Sequence, residues 1–342
     1  ALSAGLKFSR ALAAGETIEL PAAFAGWCDA GGLHEASSRT HRYARAAAMP
    51  PRPDERFPWV QFNSWYPWNA RLYQRDMEAQ LDLAARLGVE VFVLDDGWFR
   101  GWFEGGGWGE GAGWWIADEA KFPEGIRAFR DRVHARGMKF GLWIEPERVD
   151  GKVLAPSGIQ PAWLAGTEAN EPFQKDPSSV FQQPCFGCPG VVAWAKKQLD
   201  RLISEYGADW IKWDHNYYEV CRRSDHGHGQ DDGNCAHIRG VYEVLDYVRR
   251  RYPHVVIENC ASGASRLDFG LLERTRVQWL SDLPSPSYRA RSQFGGAALV
   301  FPPEYLNAWV IPDSREPLTP ESARFILRSD MLGAFGLSYP LP

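Results

Sequence analysis

The sequence predicts an α/β protein built as a closed barrel of eight parallel strands with helices outside, the (β/α)8 or TIM barrel. Three observations predict this fold class. Short apolar segments alternate with amphipathic segments, which is the order of a parallel sheet covered by helices. Eight apolar segments occur after residue 50, and eight strands close such a barrel. The total of 342 residues suits one barrel and a short additional segment.

The first 50 residues do not follow this alternation. "LKFSRAL" and "ETIELP" predict two short strands joined by a glycine turn. "HEASSRTHRYARAAAMPP" predicts a helix that leads into a proline-rich linker ending near Pro58. We interpret residues 1–50 as the end of a preceding β-sandwich domain with its linker, and residues 51–342 as the barrel domain.

The predicted barrel strands are apolar segments bounded by polar or turn-forming residues. They cover residues 59–65, 89–98, 138–147, 208–216, 254–263, 276–282, 296–304 and 334–342. Amphipathic segments predict helices at 73–87, 123–136, 191–206, 238–251 and 320–332. A doubly wound open sheet is the alternative architecture, but the glycine-rich phosphate turn that would follow its first strand is missing from this sequence.

Composition excludes several classes of partner. The net charge is -5 and the sequence has no basic stripe, so we expect neither a nucleic acid nor a membrane surface as a partner. No apolar run reaches membrane-spanning length, and the first residues lack the apolar core of a signal peptide, so we expect a cytoplasmic protein. The 16 tryptophans favour a carbohydrate ligand modestly, because indole rings stack on sugar rings.

Polar residues concentrate where the predicted strands end. In "WIKWDHN", Lys212, Asp214 and Asn216 share one face because side chains of a strand alternate with a period of two. Other strand ends carry Asp95, Asp96, Glu145, Glu147, Glu258, Cys260 and Asp282. The carboxyl ends of barrel strands meet on one face, where active sites lie, so we expect these residues to form a single site.

The chemistry of that site is predicted to be glycosidic bond cleavage, which needs two carboxyl groups with different roles. Asp214 is the candidate nucleophile, because the neighbouring Lys212 would keep its carboxylate ionised. Asp282 is the candidate acid/base, because apolar neighbours such as Trp279 would raise its pKa by desolvation.

Six segments of the sequence resemble family 36 of the glycoside hydrolases, the retaining α-galactosidases of clan D. They are "NSW" (63–65), "LDDGW" (94–98), "GMKFGLWIEPE" (137–147), "IKWDHN" (211–216), "ENCASG" (258–263) and "WLSD" (279–282). Each motif is weak alone, but their order and spacing are specific, and the resemblance covers about residues 15–342.

The resemblance implies hydrolysis of terminal α-linked galactose through a covalent glycosyl intermediate on Asp214, with Asp282 as acid/base. The residues expected to bind the sugar are Trp65, Asp95, Asp96, Trp143, Lys212, Asn216, Cys260 and Gly263. Glu145 and Glu147 are expected to be supports. The resemblance implies an oligosaccharide or glycoside substrate, no metal, no cofactor and a homo-oligomer. Family members carry domains before and after the barrel, so we expect a fragment of a longer enzyme.

Two departures from the family pattern leave alternatives open. "FQQPCFGCPGVVAW" (181–194) lacks the expected arginine, so Gln182, Gln183, Lys175 or water would hold that sugar hydroxyl. The loop 99–119 is rewritten around glycine and tryptophan, which predicts an aromatic substrate loop. The alternatives are an α-N-acetylgalactosaminidase with room near Cys260 and Gly263, another galacto-configured α-glycosidase, or a non-catalytic carbohydrate-binding domain.

The cysteines near the fourth strand allow three interpretations. Cys185, Cys188, Cys221 and Cys235 have spacing that permits a zinc site, and a disulfide is also compatible. Because the two halves lie on different loops, the sequence favours thiols packed within loops that shape the sugar pocket. His226 and His228 are expected to be solvated loop residues.

Overall fold

The computed structural model describes residues 8–19, 21–101, 108–165, 181–216, 221–311 and 319–341. Its centre is a closed barrel of eight parallel strands, as predicted. The strands are β1 (Gln61–Asn63), β2 (Val91–Leu94), β3 (Lys139–Ile144), β4 (Trp210–Trp213), β5 (Val256–Asn259), β6 (Val277–Trp279), β7 (Leu306–Val310) and β8 (Ala334–Leu337). Each strand pairs with its neighbours in chain order, and the pairing of Gln61 with Gly336 closes the barrel.

Among the described residues, seven α-helices contain nine residues or more. They are α1 (Gly32–Tyr43), α2 (Gln74–Arg86), α3 (Ile126–His134), α4 (Pro189–Asp200), α5 (Gly233–Arg251), α6 (Ser287–Ala297) and α7 (Pro320–Asp330). Shorter helical turns occur at Trp65–Trp68, Leu154–Ser157 and Phe269–Leu272. In the described ranges, no helix combines the length and the apolarity needed to cross a membrane.

The strands are buried on both faces because the sheet is covered on both. Val91 and Val93 pack with Trp210, Val256 and Val277 on the inner face of the barrel. The polar residues further along β4 lie on this same face. The alternate residues of the strands, among them Phe92 and Leu142, belong to a larger cluster that includes side chains of the helices. Burial on both faces explains why apolar residues occur at successive positions of strands such as β2, although the inner face also carries buried polar residues such as Gln61 and Lys212.

The prediction that residues 296–304 form the seventh strand is wrong. Its first residues end helix α6, and Pro303 begins a 3-10 turn, so the strand β7 starts only at Leu306. Proline has no amide hydrogen to donate to a neighbouring strand, so the pair Pro302 and Pro303 cannot lie inside a barrel strand. The apolar run "AALVF" indicated a strand, but its apolar residues belong to the end of a helix and the turn that follows.

The predicted strands near the amino terminus are also absent from the described residues 8–19 and 21–31. An isolated two-stranded hairpin is marginal in water, and most of these residues are exposed. The predicted helix is present as α1 and continues through Ala44–Ala48. Arg45 joins this helix to the barrel by a two-pronged ion pair with Glu304, at 2.6 and 2.9 Å.

Candidate active site

A pocket of about 350 Å³ opens at the carboxyl ends of the barrel strands. Its walls are formed by Trp65, Asp95, Trp108, Lys212, Asp214, Asn216, Ser262, Trp279 and Asp282. Most of these residues end a barrel strand or follow one within a few residues, so five different strands contribute to the site. The carboxyl-end face of a barrel is where its active site is expected.

Asp214 follows β4 directly and is buried at the pocket wall. The indole Nε1 of Trp143 donates to its Oδ2 at 3.1 Å, and the backbone amide of His215 donates to its Oδ1 at 2.9 Å. Burial alone would raise the pKa of Asp214, but the Lys212 ammonium and side-chain donors such as Trp143 hold the pKa below its usual value. Asp214 is therefore a carboxylate at neutral pH.

Lys212 links Asp214 to the second strand. Its Nζ donates to Asp95 Oδ2 at 2.8 Å and lies 4.8 Å from the ring centre of Trp309. Asn63 Nδ2 donates to the same oxygen of Asp95 at 2.7 Å. Burial opposes the charge of Lys212, but the surrounding acids, Asp95 foremost, hold its pKa well above the usual value. The cation therefore stays charged between two carboxylates.

Lys212→Met is expected to destabilise the fold by about 3–5 kcal/mol, because it leaves the carboxylate of Asp95 buried without its cation. Urea unfolding measures this loss. Lys139→Met is the matched control, since Lys139 begins β3 at the opposite end of the barrel and is only partly buried. Equal unfolding free energies for the two variants would show that Lys212 is not held by a buried ion pair.

Asp282 lines the same pocket as Asp214, lies three residues after β6 and is more exposed than Asp214. Trp279 Nε1 donates to its Oδ1 at 2.7 Å, and the hydroxyl of Tyr66 donates to its backbone carbonyl at 3.0 Å. Desolvation by the surrounding protein raises the pKa of Asp282, and the negative charge of Asp214 raises it further. The two carboxyl groups of the pocket are thus shifted in opposite directions, which is the pattern of an acid and a nucleophile in one site.

Cys260 and two indoles form the apolar side of the site. Trp279 and Trp309 stack with their ring centres 3.7 Å apart, and Cys260 packs against them. The Cys260 thiol is a hydrogen-bond partner of Asp214, and burial together with the charge of Asp214 raises its pKa well above the usual value. Cys260 is therefore a neutral thiol that orients the carboxylate.

Asn216 lies at the pocket wall and is held by two neighbours. Its backbone amide and its Nδ2 both donate to Glu145 Oε1, at 2.8 and 3.1 Å. The Ser262 amide and hydroxyl donate to Asn216 Oδ1 at 3.0 and 2.6 Å. Gly263 follows with a φ of 87°, and a Cβ there would lie 2.6 Å from Ser281 Cα. Only glycine fits at this position, so Gly263 shapes the backbone that presents Ser262.

Asp96 is fully buried beside the pocket wall. The Gly109 amide donates to its Oδ2 at 2.8 Å, and its Oδ1 has no hydrogen-bond partner within the described ranges. Burial raises the pKa of Asp96 to about 7. Such a carboxyl group next to Asp95 is able to accept or donate one further hydrogen bond.

The structure brings six of the ten predicted site residues to the pocket wall: Trp65, Asp95, Lys212, Asn216, Asp214 and Asp282. Asp96, Trp143, Cys260 and Gly263 lie directly behind it. Lys175 lies outside the described residues, and Gln183 is buried.

Sequence reasoning missed three residues as parts of the wall: Trp108, Ser262 and Trp279. Trp108 lies in the loop that was predicted to contact substrate. Trp279 was considered only as an apolar neighbour of Asp282. Ser262 has a φ of 47°, a backbone state that no sequence pattern signalled.

The prediction that His226 and His228 are solvated is wrong. Their exposed fractions are 2% and 7%, because each ring packs against a cysteine of the loops flanking β4. The cysteine partner of His226 is Cys221 and that of His228 is Cys185. The cluster of possible metal ligands therefore contains the two histidines in place of the predicted Cys188 and Cys235.

Comparisons with known proteins agree on one family. The sequence model of the Melibiase family matches residues 17–341. The chain is 32% identical to an α-galactosidase of Escherichia coli over 305 residues, which is 88% of this chain and 40% of that protein. It is 30% identical to α-galactosidase 2 of Pediococcus pentosaceus over 243 residues, which is 70% of this chain and 33% of that protein.

Solved structures show the same fold. The family 36 α-galactosidase AgaA of Geobacillus stearothermophilus matches with a TM-score of 0.76 at 23% identity, over 91% of this chain and 42% of that one. The α-galactosidase of Lactobacillus brevis matches with a TM-score of 0.73 at 27% identity, over 90% of this chain and 41% of that one. The chain thus spans 40% or less of the two curated relatives and about 40% of the solved chains.

Proposed function

Since the chain belongs to the melibiase family, family 36 of the glycoside hydrolases, we propose that it is a retaining α-galactosidase that removes terminal α-linked galactose from oligosaccharides. One observation carries this proposal. Two carboxyl groups, the buried Asp214 with a lowered pKa and the more exposed Asp282 with a raised pKa, line one pocket together with three indole rings. Glycosidic cleavage requires this division between an ionised and a protonated carboxyl group.

In the proposed reaction, the Asp214 carboxylate attacks the anomeric carbon while Asp282 donates its proton to the departing glycosidic oxygen. The bond to the leaving group breaks and a galactosyl ester of Asp214 forms. Asp282, now ionised, removes a proton from water, which attacks the anomeric carbon and releases Asp214. Galactose leaves with its original anomeric configuration because the carbon is inverted twice.

The remaining wall residues are proposed to recognise the sugar ring. Asp95 presents a carboxylate to the pocket, and Lys212 and Asn216 present donors beside it. Asp96 Oδ1 would accept a hydrogen bond from a sugar hydroxyl that reaches behind the pocket wall. Trp65, Trp108 and Trp279 present flat surfaces on which the carbon–hydrogen faces of a sugar stack.

A panel of 4-nitrophenyl α- and β-glycosides tests the proposal. We expect cleavage of the α-galactoside only, and proton NMR of the first product should show α-galactose before mutarotation. Raffinose and stachyose, which occupy solved structures of AgaA variants, are the natural test substrates. Preference for the α-N-acetylgalactosaminide would reassign the sugar, a β-anomer as first product would exclude retention, and galactose binding without any turnover would indicate a binding domain.

Asp95→Asn is expected to raise KM for an α-galactoside about 10- to 100-fold, because a charged hydrogen bond to a sugar hydroxyl is worth about 1.5–3 kcal/mol. Inhibition by free galactose should weaken by a similar factor. Asp131→Asn, at an exposed site on α3, is the control and should leave both constants unchanged. If Asp95→Asn preserves galactose affinity and removes only turnover, Asp95 takes part in the chemical step instead.

A further inference from the structure

Outside the sugar pocket, four side chains with metal-binding atoms converge in the protein interior. They are Cys185, Cys221, His226 and His228, and their donor atoms all lie within 4.8 Å of one another. Cys185 Sγ is 3.4 Å from His228 Nε2, and Cys221 Sγ is 3.3 Å from His226 Nδ1. All four residues are buried, so water does not compete for these atoms.

Hydrogen bonds to backbone carbonyls orient both imidazoles towards the cluster. His226 Nε2 lies 2.8 Å from the Ala162 carbonyl, and His228 Nδ1 lies 2.7 Å from the Gly229 carbonyl. A carbonyl only accepts, so each of these nitrogens carries the hydrogen, and the other nitrogen of each neutral ring points its lone pair at a sulfur. Histidines that bind metals are oriented by such a bond on their second nitrogen.

Two sulfur–nitrogen spacings in the cluster agree with tetrahedral zinc. Bonds of about 2.3 Å to sulfur and about 2.0–2.1 Å to nitrogen place neighbouring sulfur and nitrogen ligands about 3.6 Å apart. The sulfur–nitrogen distances of the pairs Cys185–His228 and Cys221–His226, 3.4 and 3.3 Å, are close to this value. Two thiolates and two imidazoles are one of the usual ligand sets of structural zinc.

The backbone around the cluster leaves room for the His228 ring. A Cβ on Gly187 would lie 2.7 Å from His228 Cδ2, and a Cβ on Gly233 would lie 2.9 Å from His228 Cε1. A side chain at either position would displace the imidazole. The "CFGC" and "DDGNC" segments therefore supply glycine where the ring passes between them.

We propose that Cys185, Cys221, His226 and His228 bind one zinc ion in a closed structural site. Four protein ligands fill the tetrahedron and leave no position for water or substrate, so the ion supports structure and not the reaction. The site would join the segment after β4 to the segment before α4. It would thereby fix Cys221, five residues after Asn216 of the sugar pocket, and hold the loop that leaves the nucleophile strand.

Elemental analysis of the full chain, purified without a histidine tag from zinc-containing medium, tests the proposal. We expect about one zinc per chain in a structural site. Cys221→Ser and His226→Ala should each lower the zinc content at least about tenfold and lower the Tm, because structural zinc contributes to folding free energy. Cys235→Ser is the matched control, since Cys235 lies on α5 close by but outside the cluster, and it should retain zinc.

X-ray absorption of the zinc in the unmutated chain does not depend on whether the variants fold. Two sulfurs at about 2.3 Å and two nitrogens at about 2.0–2.1 Å would support the assignment. Three or four sulfurs would overturn it in favour of a set with Cys188 or Cys235. Absence of zinc from the unmutated chain, or a thiol titration under denaturing conditions that finds two fewer thiols than six, would also overturn it. The zinc content is independent of the proposed galactosidase activity.

Discussion

Asp214→Ala is expected to lower hydrolysis of 4-nitrophenyl α-galactoside by at least about 10³-fold, because removal of a nucleophile eliminates the covalent route rather than weakening it. Trp143, His215 and Cys260 all contact this carboxylate, which lies at the pocket wall. Steady-state rates for the variant and the unmutated chain measure the loss.

Azide distinguishes a lost nucleophile from a damaged fold. Removal of the Asp214 side chain leaves space for azide on the same face of the sugar, so Asp214→Ala with azide should form β-galactosyl azide by a single inversion. A slowly hydrolysed fluorinated galactosyl fluoride should also label the unmutated chain on the peptide that contains Asp214. Retention of more than a few per cent of activity by Asp214→Ala, or a label on another residue, would remove Asp214 from this role.

Asp282→Ala is expected to have the second largest effect, and its size should depend on the leaving group. Loss of a general acid costs about 10²- to 10⁴-fold, so cleavage of raffinose should fall within this range. A 4-nitrophenolate leaves without a proton, so its release should show a fast first turnover followed by slow hydrolysis of the glycosyl ester. Azide should rescue the second step and give α-galactosyl azide, the opposite anomer from the Asp214 variant.

The pH profile provides an independent check on both residues. Asp214 acts as an anion with a lowered pKa, so activity should fall on the acid side only below the usual aspartate pKa of about 3.9. Asp282 acts as an acid with a raised pKa, so activity should also fall as the pH rises through that pKa. Asp282→Ala should lose the alkaline limb and keep the acid limb. An unchanged alkaline limb would assign it to another group.

The sequence alone was sufficient to predict the barrel and the types of residue that line its carboxyl-end face. Strand segments buried on both faces are rich in apolar residues, so β1 to β6 and β8 could be located from local pattern although several carry buried polar residues. The period of a strand placed Lys212, Asp214 and Asn216 on one face, and parallel order brought the ends of several strands together. These inferences need only local geometry and chain order.

Local pattern was insufficient where an apolar run had two structural interpretations. Residues 296–304 resemble a strand in composition, but helix α6 extends to Ala297 and a 3-10 turn begins at Pro303. The position of β7 was settled by pairing with β6 and β8, a contact between segments far apart in the chain. Wall residues such as Ser262 depended on a backbone conformation that Gly263 and Ser281 impose together.

Charge state and burial were decided by the tertiary structure. Lys212 and Asp95 are 117 residues apart along the chain, yet their ion pair helps to keep the nucleophile ionised. His226 and His228 lie in a polar sequence that predicts solvation, yet they are buried against the neighbouring Cys221 and against Cys185, which is 43 residues from His228 along the chain. The sequence by itself determined which ionisable groups and ligands the chain carries. The fold decided their pKa values and neighbours, because electrostatic energy and desolvation depend on distances through space and not along the chain.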